Sequence, residues 1–275
     1  MTEGSAVELL LRRDRMVLIG ALGAITAIAA VYTVLGVGMG MSAIEMTAMA
    51  GRGTMGMGEM VMAPAAWSAG YFALVFLMWW VMMIAMMTPS AAPVILLHAA
   101  VKRKADPAAD AVGLSAGFLG GYLAAWAVFS LIATALLWAL ELRGLVSPGM
   151  MTVTSAALGG AVLLAAGLYQ FTPLKRACLA HCRSPAHWLA AHHRPGHVGA
   201  FRMGVEHGAY CLGCCWFLMA LLFFGGVMNL YWIIGLALLV LAEKVMPRGE
   251  LVARGAGAAL AVAGVVLLGS AAGIA

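Results

Sequence analysis

The chain has very little charge. Only 10% of its 275 residues are Asp, Glu, Lys or Arg, whereas 64% are hydrophobic. A soluble domain carries about 25% charged residues and about 45–50% apolar ones. This chain therefore has more apolar surface than a water-soluble fold can bury, which excludes a soluble protein. The formal net charge of +5 does not predict a nucleic-acid partner. The positions of the basic residues between the apolar stretches explain the positive charge better.

The sequence also lacks the common hydrolase and nucleotide-binding motifs. It contains no G-x-S-x-G, no H-E-x-x-H and no P-loop. C-L-G-C-C includes a C-x-x-C, but no βαβ pattern surrounds it, and C-L-A-H-C is not the C-x-x-C-H of haem attachment. These absences favour a protein that is not an enzyme, and they leave a redox activity open.

Long apolar stretches take the place of these motifs. Seven of them are long enough to cross the hydrocarbon layer, which needs about 20 helical residues. The sequence therefore predicts an all-α fold, a polytopic transmembrane helix bundle of about seven spans, as a single membrane domain over residues 1–275. The first span is interpreted as a retained anchor, and Asn229 as the turn of a hairpin. The predicted spans are Met16–Val37, Trp67–Thr88, Ala111–Leu140, Thr152–Phe171, Gly208–Met228, Tyr231–Val245 and Leu251–Ile274.

Basic residues set the predicted orientation, because Lys and Arg favour cytoplasmic loops. With the N-terminus inside, all 16 basic residues except Arg52 and Arg143 lie on the inner side. We therefore expect a multi-pass protein of the bacterial inner membrane, with residues 173–206 as a cytoplasmic Cys/His loop. Thiols stay free in that reducing compartment, and five cysteines cannot all pair within one chain.

Two Thr-Pro pairs indicate a parallel two-helix repeat of the kind found in some transporters. Thr88-Pro89 and Thr172-Pro173 are each predicted to end a helix, and a basic segment follows each pair. The next helix then opens with spaced glycines, which are Gly113, Gly117 and Gly121 in one half and Gly204 and Gly208 in the other. The alternative is that these features are ordinary membrane helix packing.

All five cysteines fall within 38 residues. Residues four apart share a helix face, so Cys178 and Cys182 form one stripe and Cys211 and Cys215 form another. Thiolate and imidazole are the ligands that soft metal ions prefer. Structural zinc and simple packing of small apolar residues are the alternatives. The candidate ligands of these stripes are Cys178, His181, Cys182, His207, Cys211, Cys214 and Cys215.

Methionine is concentrated in the segment 39–66, which the orientation places outside. Eight methionines occur between Met39 and Met62. Thioethers suit Cu(I), so Met55, Met57 and Met60 are candidate ligands. The alternative is that methionine is an adaptable filler in a half-buried segment.

The second predicted span carries a further methionine stripe. Met78, Met82 and Met86 share one face, with Met83 and Met87 beside them. The orientation places them in the inner half of the span, near the depth of the second cysteine stripe. They are candidate ligands of a copper pathway, and the alternative is again packing.

Three segments together resemble a known family. They are W-V-M-M-I-A-M-M-T-P-S at Trp80–Ser90, Y-Q-F-T-P-L-K-R-A-C-L-A-H-C-R-S-P at Tyr169–Pro185 and Y-C-L-G-C-C-W-F-L-M-A-L-L-F-F-G-G-V-M-N-L at Tyr210–Leu230, followed by Glu243-Lys244. They are similar to the DUF2182 family, predicted metal-binding integral membrane proteins of bacteria. The resemblance implies metal binding, and it implies that the five cysteines are motif positions. It does not extend to the outer methionines.

These observations predict a membrane metal-handling protein. Cu(I) would be collected by the outer methionines, passed along the second span and held by the Cys/His cluster, for transport or for delivery to a membrane or soluble partner protein. Copper is the expected metal, with zinc or haem as alternatives. The alternative functions are a subunit of a metal- or haem-containing membrane oxidoreductase and a structural or assembly subunit of a membrane complex. Glu243 and Lys244 are among the few polar residues near the spans, where such residues are usually functional; the alternative is that they simply cap a helix at the interface.

Overall fold

A computed structural model describes residues 3–51, 67–192 and 194–273. These residues form an almost wholly helical bundle, which confirms the predicted all-α class. One antiparallel pair of two-residue strands, β1 and β2, lies between the fourth and fifth helices. In chain order the elements are α1 (Glu3–Leu35), α2 (Ala43–Gly51), α3 (Ala69–Ala105), α4 (Ala111–Leu142), β1 (Val146–Ser147), β2 (Thr152–Val153), α5 (Ala156–Tyr169), α6 (Pro173–Arg183), α7 (Pro185–Ala191), α8 (Gly196–Ala220), α9 (Leu222–Gly225), α10 (Leu230–Val245) and α11 (Gly249–Ala271).

Five helices of the described chain are long and apolar enough to cross a membrane. The helices α5 and α6 make a sixth span if the pair, bent by 61°, counts as one. The predicted number of about seven spans is therefore approximate. The sixth predicted span corresponds to α10, which has only 16 residues. The turn predicted at Asn229 is present, because its side chain accepts a hydrogen bond from the first turn of α10.

Glycines set the closest helix contacts. On the α4–α8 contact, a Cβ at Gly121 would collide with the backbone at Phe201, and one at Gly204 would collide with the backbone at Phe118. Gly167 and Gly257 make the same reciprocal contact between α5 and α11. Small residues drive helix association in lipid because they let backbones approach. The spaced glycines of α4 and α8 therefore have a packing role.

The predicted end of the second span at Thr88-Pro89 is wrong. The helix α3 passes through Pro89 and Pro93 and ends only at Ala105. Each proline removes one backbone hydrogen bond, but membrane helices tolerate this where neighbouring helices cover the site. Here Thr88 is fully buried within the bundle.

Thr172-Pro173 behaves differently from the first Thr-Pro pair. The Thr172 hydroxyl accepts a hydrogen bond from the N–H of Lys175, and Pro173 occupies the first turn of α6. This is a standard helix start, and it produces the bend between α5 and α6. The two Thr-Pro pairs are therefore not equivalent, and the repeat stays a prediction.

Charged side chains of α6 pair with and hydrogen-bond to α10. Lys175 and Glu243 form an ion pair of 2.6 Å in which each side chain is only 1% exposed. Arg183 donates to the backbone carbonyls of Glu243, Met246 and Pro247 at the end of α10. The segment predicted as a Cys/His loop is thus largely helical, and its first helix has a defined position.

Candidate metal centre

The helix α6 lies directly on α8 at the C-L-G-C-C sequence. A Cβ at Gly213 would lie 2.6 Å from the Sγ of Cys178, so only glycine leaves room for the sulfur. The hydroxyl of Tyr169 donates to the Gly213 carbonyl from the end of α5. The glycine between the cysteines therefore allows the two cysteine-bearing helices to meet.

The cysteines of α6 face the cysteine-bearing segment of α8. Cys178 lies against Gly213, Cys182 follows one turn later on the same face of α6, and all five cysteines are free. The thiols of Cys214 and Cys215 donate to the Cys211 carbonyl at 3.1 and 2.9 Å. Cysteines of two adjacent helices are thus close together, and their role as metal ligands stays a prediction. Within the described ranges, however, no group of three or more His, Cys, Asp or Glu side chains is already arranged to hold a metal ion.

A cavity of about 210 Å³ opens beside Cys182. Cys182, His207 and Lys244 line it, together with Ser90 of α3. The imidazole of His207 is 3% exposed, and its Nδ1 has no hydrogen-bond partner among the described residues. An unpartnered buried nitrogen costs free energy, so a nitrogen beside a thiol in a cavity fits the binding of a soft ion.

Two polar side chains contact Cys211, and neither contact was predicted from the sequence. The Cys211 Sγ lies 3.1 Å from the hydroxyl of Tyr122 and 3.0 Å from the ammonium of Lys244. Lys244 also donates to Ser90 at 3.0 Å. Glu243 and Lys244 are thus more than a helix cap at the interface, because Glu243 pairs with Lys175 and Lys244 reaches a cysteine. Ionisable residues ending an apolar run are usually functional, but no local pattern indicated these partners.

His181 takes a different position from His207. Its ring stacks on Tyr210, with centroids 3.6 Å apart, and meets the edge of Trp188. His181 thus lies between α6, α7 and α8, next to Cys182 in sequence. It stays a candidate ligand, and the stack on Tyr210 is one of its contacts.

The methionine stripe of α3 faces the interior of the bundle. All five side chains are at most 3% exposed; they are Met78, Met82, Met83, Met86 and Met87. The hydroxyl of Tyr122 lies 3.3 Å from the Met87 carbonyl and 3.1 Å from the Cys211 sulfur. The inner end of the stripe is therefore at the depth of the second cysteine stripe.

The outer methionine segment is described only in part. Met46 of α2 is buried at 6% exposure, and Met39, Met41 and Met49 pack against the core. The candidate ligands Met55, Met57 and Met60 lie outside the described residues.

One comparison with known proteins decides the family. The model of the family described as "PpoB2: Copper chaperone" matches residues 76–267, well over half of the chain. The chain belongs to this copper chaperone family. No curated protein and no solved structure matches the chain.

The match to the copper chaperone family covers the candidate site. Residues 76–267 include the methionine stripe of α3, both cysteine-bearing helices and Lys244. The outer segment 39–66 precedes the matched range. Membership of the copper chaperone family therefore supports a copper-related function for the bundle, and the match does not cover the outer methionines.

Proposed function

We propose that this protein binds Cu(I) between α6 and α8 and delivers it to a partner protein. The observation that carries the proposal is the packing of the cysteine face of α6 on α8 at Gly213, next to a cavity that Cys182 and His207 both line. Thiolate is a ligand that selects Cu(I). Membership of the copper chaperone family supports the same metal.

The ligand geometry favours Cu(I) over zinc. Structural zinc is four-coordinate, whereas the described residues hold no preformed group of three ligands. Cu(I) is a soft monovalent ion that two thiolates can hold, so no third ligand has to be in place, and His207 at the same cavity is a further candidate. A site with few ligands also suits a carrier, because the ion is then easily passed on. We assign Cys182, Cys214 and His207 to the binding of the ion, and the remaining cysteines to the path by which it reaches or leaves them.

The methionine stripe extends the proposed path away from the cysteines. It is continuous along α3 and enclosed by the bundle, and Tyr122 links its inner end to Cys211. In the proposed orientation, copper enters at the outer methionine segment and follows α3 inward. The thiols then lie in the inner half of a bacterial inner-membrane protein, and membership of the DUF2182 family is part of this proposal.

The test is copper analysis of the full-length protein purified in detergent. We expect wild type to carry Cu(I) and Cys182→Ser/Cys214→Ser to lose most of it, because serine oxygen is a hard ligand. Met203→Leu is the matched control, since it removes a buried sulfur from α8 that lies outside the proposed site.

Equal copper content in the wild type and the double variant would show that the Cys182 and Cys214 thiols do not bind the copper. In that case, a haem-like or redox-active spectrum would favour the oxidoreductase subunit. A stable complex with other membrane proteins and an empty cysteine cluster would favour the assembly subunit.

A further inference from the structure

Among the described residues, the ammonium group of Lys244 is the only cation that donates a hydrogen bond to a candidate sulfur. It donates to the Sγ of Cys211 and to the Oγ of Ser90, each at 3.0 Å. It also lines the cavity that Cys182 and His207 share. A cation in this position acts on any ion that enters the cavity.

No carboxylate neutralises Lys244 among the described ion pairs. The adjacent Glu243 is already paired with Lys175 at 2.6 Å. Arg183, which also lines the cavity, donates its hydrogen bonds to backbone carbonyls. Lys244 and Arg183 are the charged side chains that line the cavity, so its lining is positive, and a thiolate at Cys211 is the anion that hydrogen-bonds Lys244 directly.

We propose that Lys244 is a specificity-determining residue that selects monovalent Cu(I) over divalent ions such as Zn(II). This inference rests on the proposed function and concerns the same cavity. Cu(I) bound by two thiolates leaves one net negative charge, which the ammonium balances. Zn(II) bound by the same thiolates leaves no net charge, and Lys244 is then an uncompensated cation in a poorly solvated site.

The distances make this effect large. Lys244 and Cys182 line the same cavity of about 210 Å³, and a sphere of that volume is roughly 7 Å across, so an ion held there lies within roughly 7 Å of the ammonium. At an effective dielectric constant of about 20, each added unit of metal charge at that separation lowers the affinity by a factor of about 50. The protons that the thiols release are the same for both metals, so they cancel in the ratio of the two affinities.

The experiment measures Cu(I) and Zn(II) affinities separately, by competition with chromogenic chelators, on the full-length protein in detergent. We expect Lys244→Gln to raise the Zn(II)-to-Cu(I) affinity ratio at least about tenfold. Lys244→Arg keeps the charge and is expected to keep the wild-type ratio. Lys104→Gln is the matched control, because it removes an exposed lysine at the end of α3.

If Lys244→Gln does not fold, Lys244→Met supplies the same comparison with an apolar chain of similar length. An unchanged ratio in the uncharged variant, or an equal rise in Lys244→Arg, overturns the selectivity role and leaves copper binding intact. Loss of the proposed function gives a different pattern, in which the wild type and Cys182→Ser/Cys214→Ser take up the same amount of Cu(I).

Discussion

The ion pair between Lys175 and Glu243 should be the most costly single contact to break in the bundle. The pair joins the cysteine helix α6 to α10 at 2.6 Å, and each side chain is only 1% exposed. We consider Lys175→Met, which keeps most of the apolar chain and removes the charge. The substitution leaves the Glu243 carboxylate buried without its partner.

The expected cost follows from that uncompensated charge. Breaking a buried ion pair by removing one partner costs about 3–5 kcal/mol. One carboxylate oxygen, Oε1 of Glu243, already lacks a hydrogen-bond partner among the described residues, so the native pair is itself incompletely satisfied. We therefore expect Lys175→Met/Glu243→Leu to regain most of the loss, since replacing both partners with apolar groups is often neutral.

The assay is unfolding in mixed detergent micelles, followed by far-ultraviolet circular dichroism. The control is Arg12→Met, which breaks the Glu8–Arg12 pair on the surface of α1. Its side chains are 65% and 73% exposed, and an exposed pair is worth at most about 1 kcal/mol. The reasoning would be refuted if Lys175→Met lowered the free energy of unfolding no more than Arg12→Met does. It would also be refuted if the double variant lost as much stability as the two single variants together.

Three smaller predictions concern packing, protonation and access. Gly204→Val should destabilise the bundle by about 1–3 kcal/mol because its side chain meets a backbone carbonyl of α4, whereas Gly255→Val, with no atom within 4 Å, should cost far less in the same unfolding assay. Hydrogen bonds from the N–H and hydroxyl of Ser42 lower the pKa of Glu45. These hydrogen bonds to the carboxylate are therefore fully formed at neutral pH and are lost as the pH falls through the lowered pKa. Ser42→Ala should raise the pKa of Glu45, as measured by NMR of the carboxyl group. Cys182 lines the cavity and should react with maleimide before the three buried cysteines of α8, and Cu(I) should slow this reaction. Peptide mass spectrometry identifies the labelled cysteine, and earlier labelling of a cysteine of α8 would contradict the prediction.

Patterns within a single helix predicted much of the structure. The four-residue spacing of the cysteines placed Cys178 and Cys182 on one face, and that face does meet α8 at Gly213. The glycine spacings of α4 and α8 likewise mark their contact. Both features depend only on the helical repeat, which the sequence shows directly.

Features that depend on contacts with another helix were not predicted from the sequence. Thr88-Pro89 and Thr172-Pro173 look alike in sequence, yet α3 continues through the first pair and the chain bends by 61° at the second. The surroundings of each pair decide between these outcomes. Lys244 contacts Cys211 across 33 positions of sequence, and no local pattern indicates such a contact.

The distribution of polar groups in the bundle argues for an ionic ligand. Ionisable side chains are expensive inside a membrane and are usually retained for function. Here Lys175, Glu243, Lys244 and His207 lie around the cysteine-bearing helices, where the ion pair holds α6 in place and Lys244 reaches a sulfur. Apolar residues would pack these helices at lower cost. Thiols that only filled space would need neither a cation at 3.0 Å nor a cavity beside them, whereas a bound metal ion uses both.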